Sequence, residues 1–143
     1  MDDWPTRILF ETDGSEGAAL GLRAAADICE KTGAELHVVH AWHAPGPASS
    51  TGRPLSTSYE QEARDLLTAQ VKRLEAAGKT VAEAHLIGGS PVDEILDLSE
   101  EPVLIAVGSR NLGMIKRLML GSVSSDVLRA VSGPVLVYRR PAG

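Results

Sequence analysis

The stretch Val103–Ser125, VLIAVGSRNLGMIKRLMLGSVSS, decides the fold. It opens with an apolar run that is typical of a buried strand of a parallel sheet, and Gly108 follows at once. Gly121 and Ser122 then begin a helical pattern. Glycine lets the backbone approach a ligand closely, and a helix start offers unpaired N–H groups. A strand, a glycine turn and a glycine-serine helix start therefore indicate an anion pocket in an α/β protein.

Strand and helix patterns alternate along the whole chain. The strands are predicted at Arg7–Thr12, Glu35–Trp42, Thr80–Ile87, Val103–Val107 and Val135–Arg139. Apolar residues at helical spacing follow the first two strands, Ser90-Pro91 starts a third helix, and the last helix is predicted at Ser122–Ser132. Residues 43–58, rich in Pro, Gly and Ser, predict a long loop. This alternation implies one α/β domain, residues 1–143, with a parallel sheet and helices on both faces.

Composition limits the classes of function. The net charge of -5 and the pI near 5.3 argue against a general nucleic-acid surface, which needs a basic patch. The single cysteine, Cys29, excludes an internal disulfide and indicates a reducing compartment. No apolar run approaches the roughly 20 residues of a membrane span. We therefore expect a cytoplasmic protein that binds neither nucleic acid nor membrane.

Two polar turns are expected to meet at one end of the sheet, beyond the carboxyl ends of its strands. Parallel α/β sheets bind ligands beyond the carboxyl ends of the strands, at the point where the strand order reverses. Asp13 follows the first strand, and Gly108 follows the fourth. If these strands are neighbours, both residues line one crevice. Asp13 alone is more often a helix cap than a ligand contact, and it can serve as both.

At these residues the chain resembles the universal stress protein family, over nearly its whole length. Thr12–Ser15, TDGS, is similar to the family's opening, with the aspartate in the expected place. His40 and Ala41 at the end of the second strand are similar to the family's His-Val pair, and Gly88–Pro91 resembles its G-x-P turn.

The most specific resemblance is to the family's phosphate and ribose motif, G-x2-G-x9-G-[ST]. Here it reads Gly108-x2-Asn111-x9-Gly121-Ser122. Asn111 replaces the second glycine, and asparagine tolerates a positive φ better than most residues do. The turn is therefore expected to survive, although the added side chain would crowd a phosphate and weaken binding.

The resemblance implies a fold, a ligand and a set of contacts. The fold would be a flavodoxin-like, adenine-nucleotide α-hydrolase-like three-layer sandwich with a five-stranded parallel sheet of order 3-2-1-4-5. The ligand would be ATP, with or without Mg²⁺. Asp13 would approach the ribose or a phosphate-bound metal, and Ala41 would offer its backbone to adenine. The other contacts implied for the ribose and phosphates are Val107, Gly108, Arg110, Asn111, Gly121, Ser122, Val123 and Ser124.

The function predicted on this basis is that of an ATP-binding regulatory protein whose nucleotide occupancy changes the surface offered to an unknown protein partner during stress. It is not expected to be an enzyme, because no positioned nucleophile or general base can be named. One alternative is a nucleotide-free interaction module, which Asn111 favours. The other is a slow ATPase, with Asp13 as the only candidate acid. The resemblance also implies dimers, and the apolar edge strand Val135–Tyr138 is expected to join them.

Several patterns are not expected to carry function. Ala77–Thr80 imitates the end of a P-loop, but it follows a helix instead of a strand. His37, His40 and His43 recur at every third residue, yet strand alternation sends His40 to the opposite face from the other two. No metal site is therefore predicted from these histidines. Cys29 is expected to be a buried small hydrophobe.

Overall fold

The computed structural model describes residues 5–42, 56–88, 103–108 and 135–138, the last two segments by their backbone alone. The elements in chain order are β1 (Arg7–Glu11), α1 (Glu16–Thr32), β2 (Glu35–Trp42), α2 (Ser56–Ala76), β3 (Glu83–Gly88), β4 (Val103–Gly108) and β5 (Val135–Tyr138). All strand pairings are parallel, in the order β3-β2-β1-β4-β5. The predicted α/β class with a parallel sheet is confirmed.

The centre of the sheet is β1, which pairs with β2 on one side and with β4 on the other. Ile8, Leu9 and Phe10 are all essentially inaccessible to solvent. Successive side chains of a strand point to opposite faces, so burial of three in a row means that both faces of β1 are covered. The near-continuous apolar run in this strand therefore reflects two-sided packing.

Helix α1 forms where its apolar residues repeat at helical spacing. Its buried face consists of Ala18, Gly21, Leu22, Ala25, Ala26 and Cys29. The helix ends at Gly33, whose φ of 81° is left-handed and whose N–H donates to the Cys29 carbonyl at 2.8 Å. Both the end of the helix at Gly33 and the burial of Cys29 confirm what the sequence predicted.

Helix α2 begins earlier than the sequence suggested. The loop predicted over residues 43–58 is wrong at its end, because residues 56–58 belong to α2, while residues 43–55 lie outside the described part. Serine and threonine are common at helix starts, so the polarity of this stretch marked a helix as well as a loop. Strand β3 also differs, since it begins at Glu83 and not at Thr80.

Both described helices cover the same face of the sheet. One apolar cluster joins Ile8 and Phe10 of β1 to Leu22 of α1 and to Leu67 and Leu74 of α2. Right-handed crossovers from β1 to β2 and from β2 to β3 move in the same direction along the sheet and therefore place α1 and α2 on one side. Neither of these helices is long and apolar enough to cross a membrane.

Two glycines with the same backbone conformation allow a matched test of packing. Gly14 and Gly33 have φ values of 83° and 81°. A β-carbon at Gly14 would lie 2.6 Å from Leu66 Cγ, whereas one at Gly33 would have no atom of the described residues within 4 Å. We expect Gly33→Ala to destabilise the fold by about 1–2 kcal/mol through left-handed strain alone.

Gly14→Ala should cost clearly more, because it adds the displacement of Leu66 to the same strain. Urea unfolding of the two variants beside the unmodified chain measures the difference from the transition midpoints at constant slope. Equal losses of stability in the two variants would contradict the close approach of α2 to the β1–α1 turn.

Candidate functional site

The carboxyl ends of β1 and β4 lie side by side. The two strands are parallel neighbours, with Glu11 opposite Val107. The chain therefore leaves both strands at the same end of the sheet, where Asp13 follows β1 and Gly108 ends β4. The strand order also reverses here, because β2 and β3 lie on one side of β1 while β4 and β5 lie on the other. This is the position at which α/β sheets bind ligands.

The β1–α1 turn is built by two short side chains. Asp13 Oδ1 accepts a hydrogen bond from the Ser15 N–H at 2.9 Å, and Ser15 Oγ accepts one from the Ala18 N–H at 3.1 Å. Ser15 has the extended backbone of an N-cap, with φ of -75° and ψ of 166°. The helix cap is therefore Ser15, and the cap role considered for Asp13 is wrong. Asp13 instead closes the turn before the cap.

Thr12 anchors this turn to the neighbouring strand. Its side chain is fully buried, and its N–H donates to the Val39 carbonyl at 2.8 Å. Its own carbonyl accepts from His40 Nδ1 at 2.7 Å. A carbonyl can only accept, so the proton lies on Nδ1, and Nε2 of a neutral His40 is an acceptor. His40 thus holds the backbone that precedes Asp13.

Thr12 also ties the turn to α2. Its hydroxyl donates to Gln70 Oε1 at 2.5 Å and accepts from the Gly14 N–H at 3.1 Å. Gln70 Nε2 donates in turn to the Ser15 carbonyl at 3.3 Å. Neither Thr12 nor Gln70 was predicted as a site residue. They are 58 positions apart, so no local pattern in the sequence could have joined them.

The carboxyl end of β2 lies next to that of β1 and forms the adjoining part of the site. Ala41 is half-buried and stands opposite Ile87 of β3. The next residue, Trp42, is also half-buried and stands opposite Gly88. A β-carbon at Gly88 would lie 3.2 Å from Cζ2 of the Trp42 indole, so glycine leaves room for the ring. Trp42, like Thr12 and Gln70, was not predicted as a site residue.

The remaining predicted contacts are described in part or not at all. The backbone of β4 places Val107 and Gly108. Val107 stands opposite Glu11 of β1, and on the other side of the strand both residues stand opposite β5. The other six, Arg110, Asn111, Gly121, Ser122, Val123 and Ser124, lie outside the described residues. The structure therefore brings Asp13 and Gly108 to the same end of the sheet. The phosphate-binding half of the motif, from Asn111 to Ser122, stays a prediction.

The P-loop imitation at Ala77–Thr80 has a structural explanation. Gly78 has a φ of 83° and follows the end of α2. The Lys79 ammonium contacts Asp27 at 2.7 Å and Glu30 at 3.2 Å on α1. The hydrogen bond from Lys79 lowers the pKa of Asp27, and those with Asp27 and Glu30 raise the pKa of Lys79. This lysine therefore ties the segment that follows α2 to α1.

Cys29 is not suited to nucleophilic chemistry. It is buried in the apolar face of α1, and this burial raises the pKa of its thiol to about 11. The thiolate is the reactive form of cysteine, and it is scarce at neutral pH when the pKa is raised. Cys29 therefore contributes packing to the core.

Comparison with known proteins agrees with the fold. Residues 5–139 match the model of the universal stress protein family. The Bacillus subtilis (strain 168) universal stress protein YxiE is 32% identical over 145 residues, covering 93% of this chain and 98% of that protein.

Two similar solved structures contain nucleotides. A universal stress protein in complex with cAMP has 26% identity and a TM-score of 0.66, covering 93% of this chain and 96% of its own. The Archaeoglobus fulgidus universal stress protein in complex with dAMP has 26% identity and a TM-score of 0.62, covering 92% and 96%. With a family match that spans nearly its whole length, this chain belongs to the universal stress protein family.

Proposed function

We propose that this protein binds ATP, with or without Mg²⁺, at the carboxyl ends of β1 and β4. The observation that carries the proposal is the parallel pairing of these two strands, with Glu11 opposite Val107. It joins the Asp13 turn to the start of the Gly108-x2-Asn111-x9-Gly121-Ser122 motif. The cAMP and dAMP in two related structures support an adenine nucleotide in this family.

The proposed contacts follow from the chemistry of each segment. Backbone N–H groups after Gly108 and at the helix start after Gly121 would hold the phosphates, with the hydroxyls of Ser122 and Ser124 as further donors. The described part of the site adds a rigid turn, because the Asp13 carboxylate is oriented by the Ser15 N–H. The proposed role of this carboxylate is to accept from a ribose hydroxyl or to bind a metal ion.

The proposal also includes the complete fold, with helices on both faces of the sheet. The described helices α1 and α2 lie on one face, and Leu9, Val39 and Ile87, which are outside their apolar cluster, are buried as well. Right-handed crossovers from β3 to β4 and from β4 to β5 would place two more helices on the face of the sheet opposite α1 and α2, which these three residues occupy. The result is the flavodoxin-like three-layer sandwich with order 3-2-1-4-5.

The proposed role is regulatory. Occupancy by nucleotide would change the surface offered to a protein partner, in a cytoplasmic setting that suits a single reduced cysteine. The nucleotide-free interaction module remains the alternative that Asn111 favours. A slow ATPase is the second alternative, and it rests on Asp13 as its only candidate acid.

A homodimer through β5 is also proposed. In the described sheet β5 pairs only with β4 and forms the edge. An apolar edge strand presents unpaired N–H and C=O groups to another chain, and a two-fold contact between identical strands closes the assembly. Val135–Tyr138 is therefore the proposed interface segment.

The nucleotide proposal is tested by separating the two roles of Asp13. Asp13→Asn retains an oxygen that accepts from the Ser15 N–H but removes the charge, whereas Asp13→Ala removes both. We expect both variants to weaken Mg-ATP binding roughly tenfold or more, since a hydrogen bond to a charged group contributes about 1.5–3 kcal/mol. Only Asp13→Ala should also lose stability, by about 1 kcal/mol. Titration calorimetry on nucleotide-stripped protein measures the affinity, and urea unfolding measures the stability.

Asp65→Asn is the matched control, because Asp65 is an exposed carboxylate of α2 that accepts from Gln61 one turn away. In the same titrations Gly121→Val should abolish binding, and Asn111→Gly should keep or raise affinity. Unchanged affinity in Asp13→Asn would remove Asp13 from the site. If neither the native chain nor Asn111→Gly binds millimolar ATP, the interaction-module alternative replaces the proposal.

The dimer proposal is tested by Leu136→Lys, because a charged residue on an edge strand opposes pairing with a second strand. We expect sedimentation to shift from dimer to monomer. Leu20→Lys, at an exposed position of α1, should leave the assembly unchanged. A persistent dimer in Leu136→Lys and in Val137→Pro would place the interface elsewhere.

A further inference from the structure

Two histidines and a glutamate meet at the amino ends of β2 and β3. His37 stands directly opposite Glu83 in the parallel pairing, and His85 stands opposite Val39. Glu83 and His85 are two positions apart on one strand, so their side chains share a face with that of His37. The rings of His37 and His85 are nearly parallel, with an interplanar angle of 9° and centroids 5.5 Å apart.

The three side chains converge through one atom each. His37 Nδ1 lies 3.3 Å from His85 Nε2, which in turn lies 3.3 Å from Glu83 Oε2. The third edge, from His37 Nδ1 to Glu83 Oε2, is 3.8 Å. The centre of a triangle with these edges is about 2.0 Å from each corner, which is the length of a bond from Zn²⁺ to imidazole nitrogen or carboxylate oxygen. A proton can occupy only one edge of this triangle, whereas a cation at its centre satisfies all three atoms.

The second nitrogen of His37 supports the same arrangement. His37 is buried, and its Nε2 has no hydrogen-bond partner among the residues that the structure describes. Metal on Nδ1 of a neutral ring would place the proton on Nε2, which then needs an acceptor. Glu35 Oε1 lies 3.6 Å from Nε2, too far for a hydrogen bond, but its side chain is 64% exposed and free of packing restraint. A carboxylate behind a metal-bound histidine is the usual outer support of such sites.

We propose that His37, Glu83 and His85 bind a divalent transition metal, with zinc as the metal that this donor set fits best. Two imidazoles and one carboxylate make the three-ligand zinc site that keeps a fourth position for water or another ligand. Glu83 is 62% exposed, which gives an ion a route from solvent. Glu35 acts as a positioning residue by accepting the proton of His37 Nε2.

This site is distinct from the proposed nucleotide site. Glu35 and Glu83 are the first residues of β2 and β3, whereas Asp13 and Gly108 lie at the carboxyl ends of the strands. It also differs from the histidine cluster considered from the sequence. His40 lies on the other face, bonded to Thr12, and the further ligands come from β3 instead of from β2.

The test is a zinc titration of tag-free protein that has been stripped of metal and nucleotide. We expect calorimetry to saturate at one Zn²⁺ per chain, and Co²⁺ in the same protein to give the intense visible absorption of a four-coordinate site. His85→Gln and Glu83→Gln should each weaken zinc binding by more than tenfold. Glu35→Ala should weaken it roughly tenfold or more, the usual effect of removing an outer partner.

A control variant keeps the outcome decisive. Glu62→Gln changes an exposed carboxylate of α2 and should leave zinc binding unchanged. If His85→Gln fails to fold, Glu83→Gln still tests the site, because Glu83 is mostly exposed. If the native chain takes up no zinc, His37 and His85 share only a hydrogen bond, and the proposal is overturned. Equal affinity in the native chain and both ligand variants would overturn it too.

Discussion

The hydroxyl and backbone of Thr12 hold together the three elements on which the described site depends. Thr12 is fully buried and bonds to β2 through Val39 and His40 and to α2 through Gln70. These bonds place the next residue, Asp13, at a fixed position beyond the sheet. A buried polar group without partners would cost about 1–3 kcal/mol, so this network is stable only because each of its groups is paired.

The same constraint explains the left-handed glycine that follows. Once Thr12 is held by α2, the chain must turn at once to begin α1, and Leu66 of α2 leaves no space for a side chain at Gly14. Ser15 then caps α1, and Asp13 closes the turn through the Ser15 N–H. The Thr-Asp-Gly-Ser order is therefore a sequence of four separate requirements: an anchor, a turn acceptor, a left-handed residue and a cap.

What the sequence could predict is what local chemistry determines. Apolar periodicity located β1, α1 and β2, and Gly33 marked the end of α1 because glycine readily adopts the left-handed conformation in which its N–H bonds to one of the last carbonyls. The start of α2 was missed because serine favours both loops and helix starts. Contacts between distant positions were out of reach. Thr12 with Gln70 and His37 with Glu83 depend on packing and register that become visible only in three dimensions.

The two ends of the sheet thus carry different chemistry, with the Asp13 turn at the carboxyl ends and imidazoles with carboxylates at the amino ends. The central claim is that an adenine nucleotide occupies the carboxyl ends of β1 and β4. It is tested most directly by denaturing protein that has been purified in Mg-ATP and freed of unbound nucleotide, and by identifying what is released by mass spectrometry. The account predicts ATP in near-stoichiometric amount. Release of ADP alone would favour the slow ATPase, and release of no adenine nucleotide would contradict the claim.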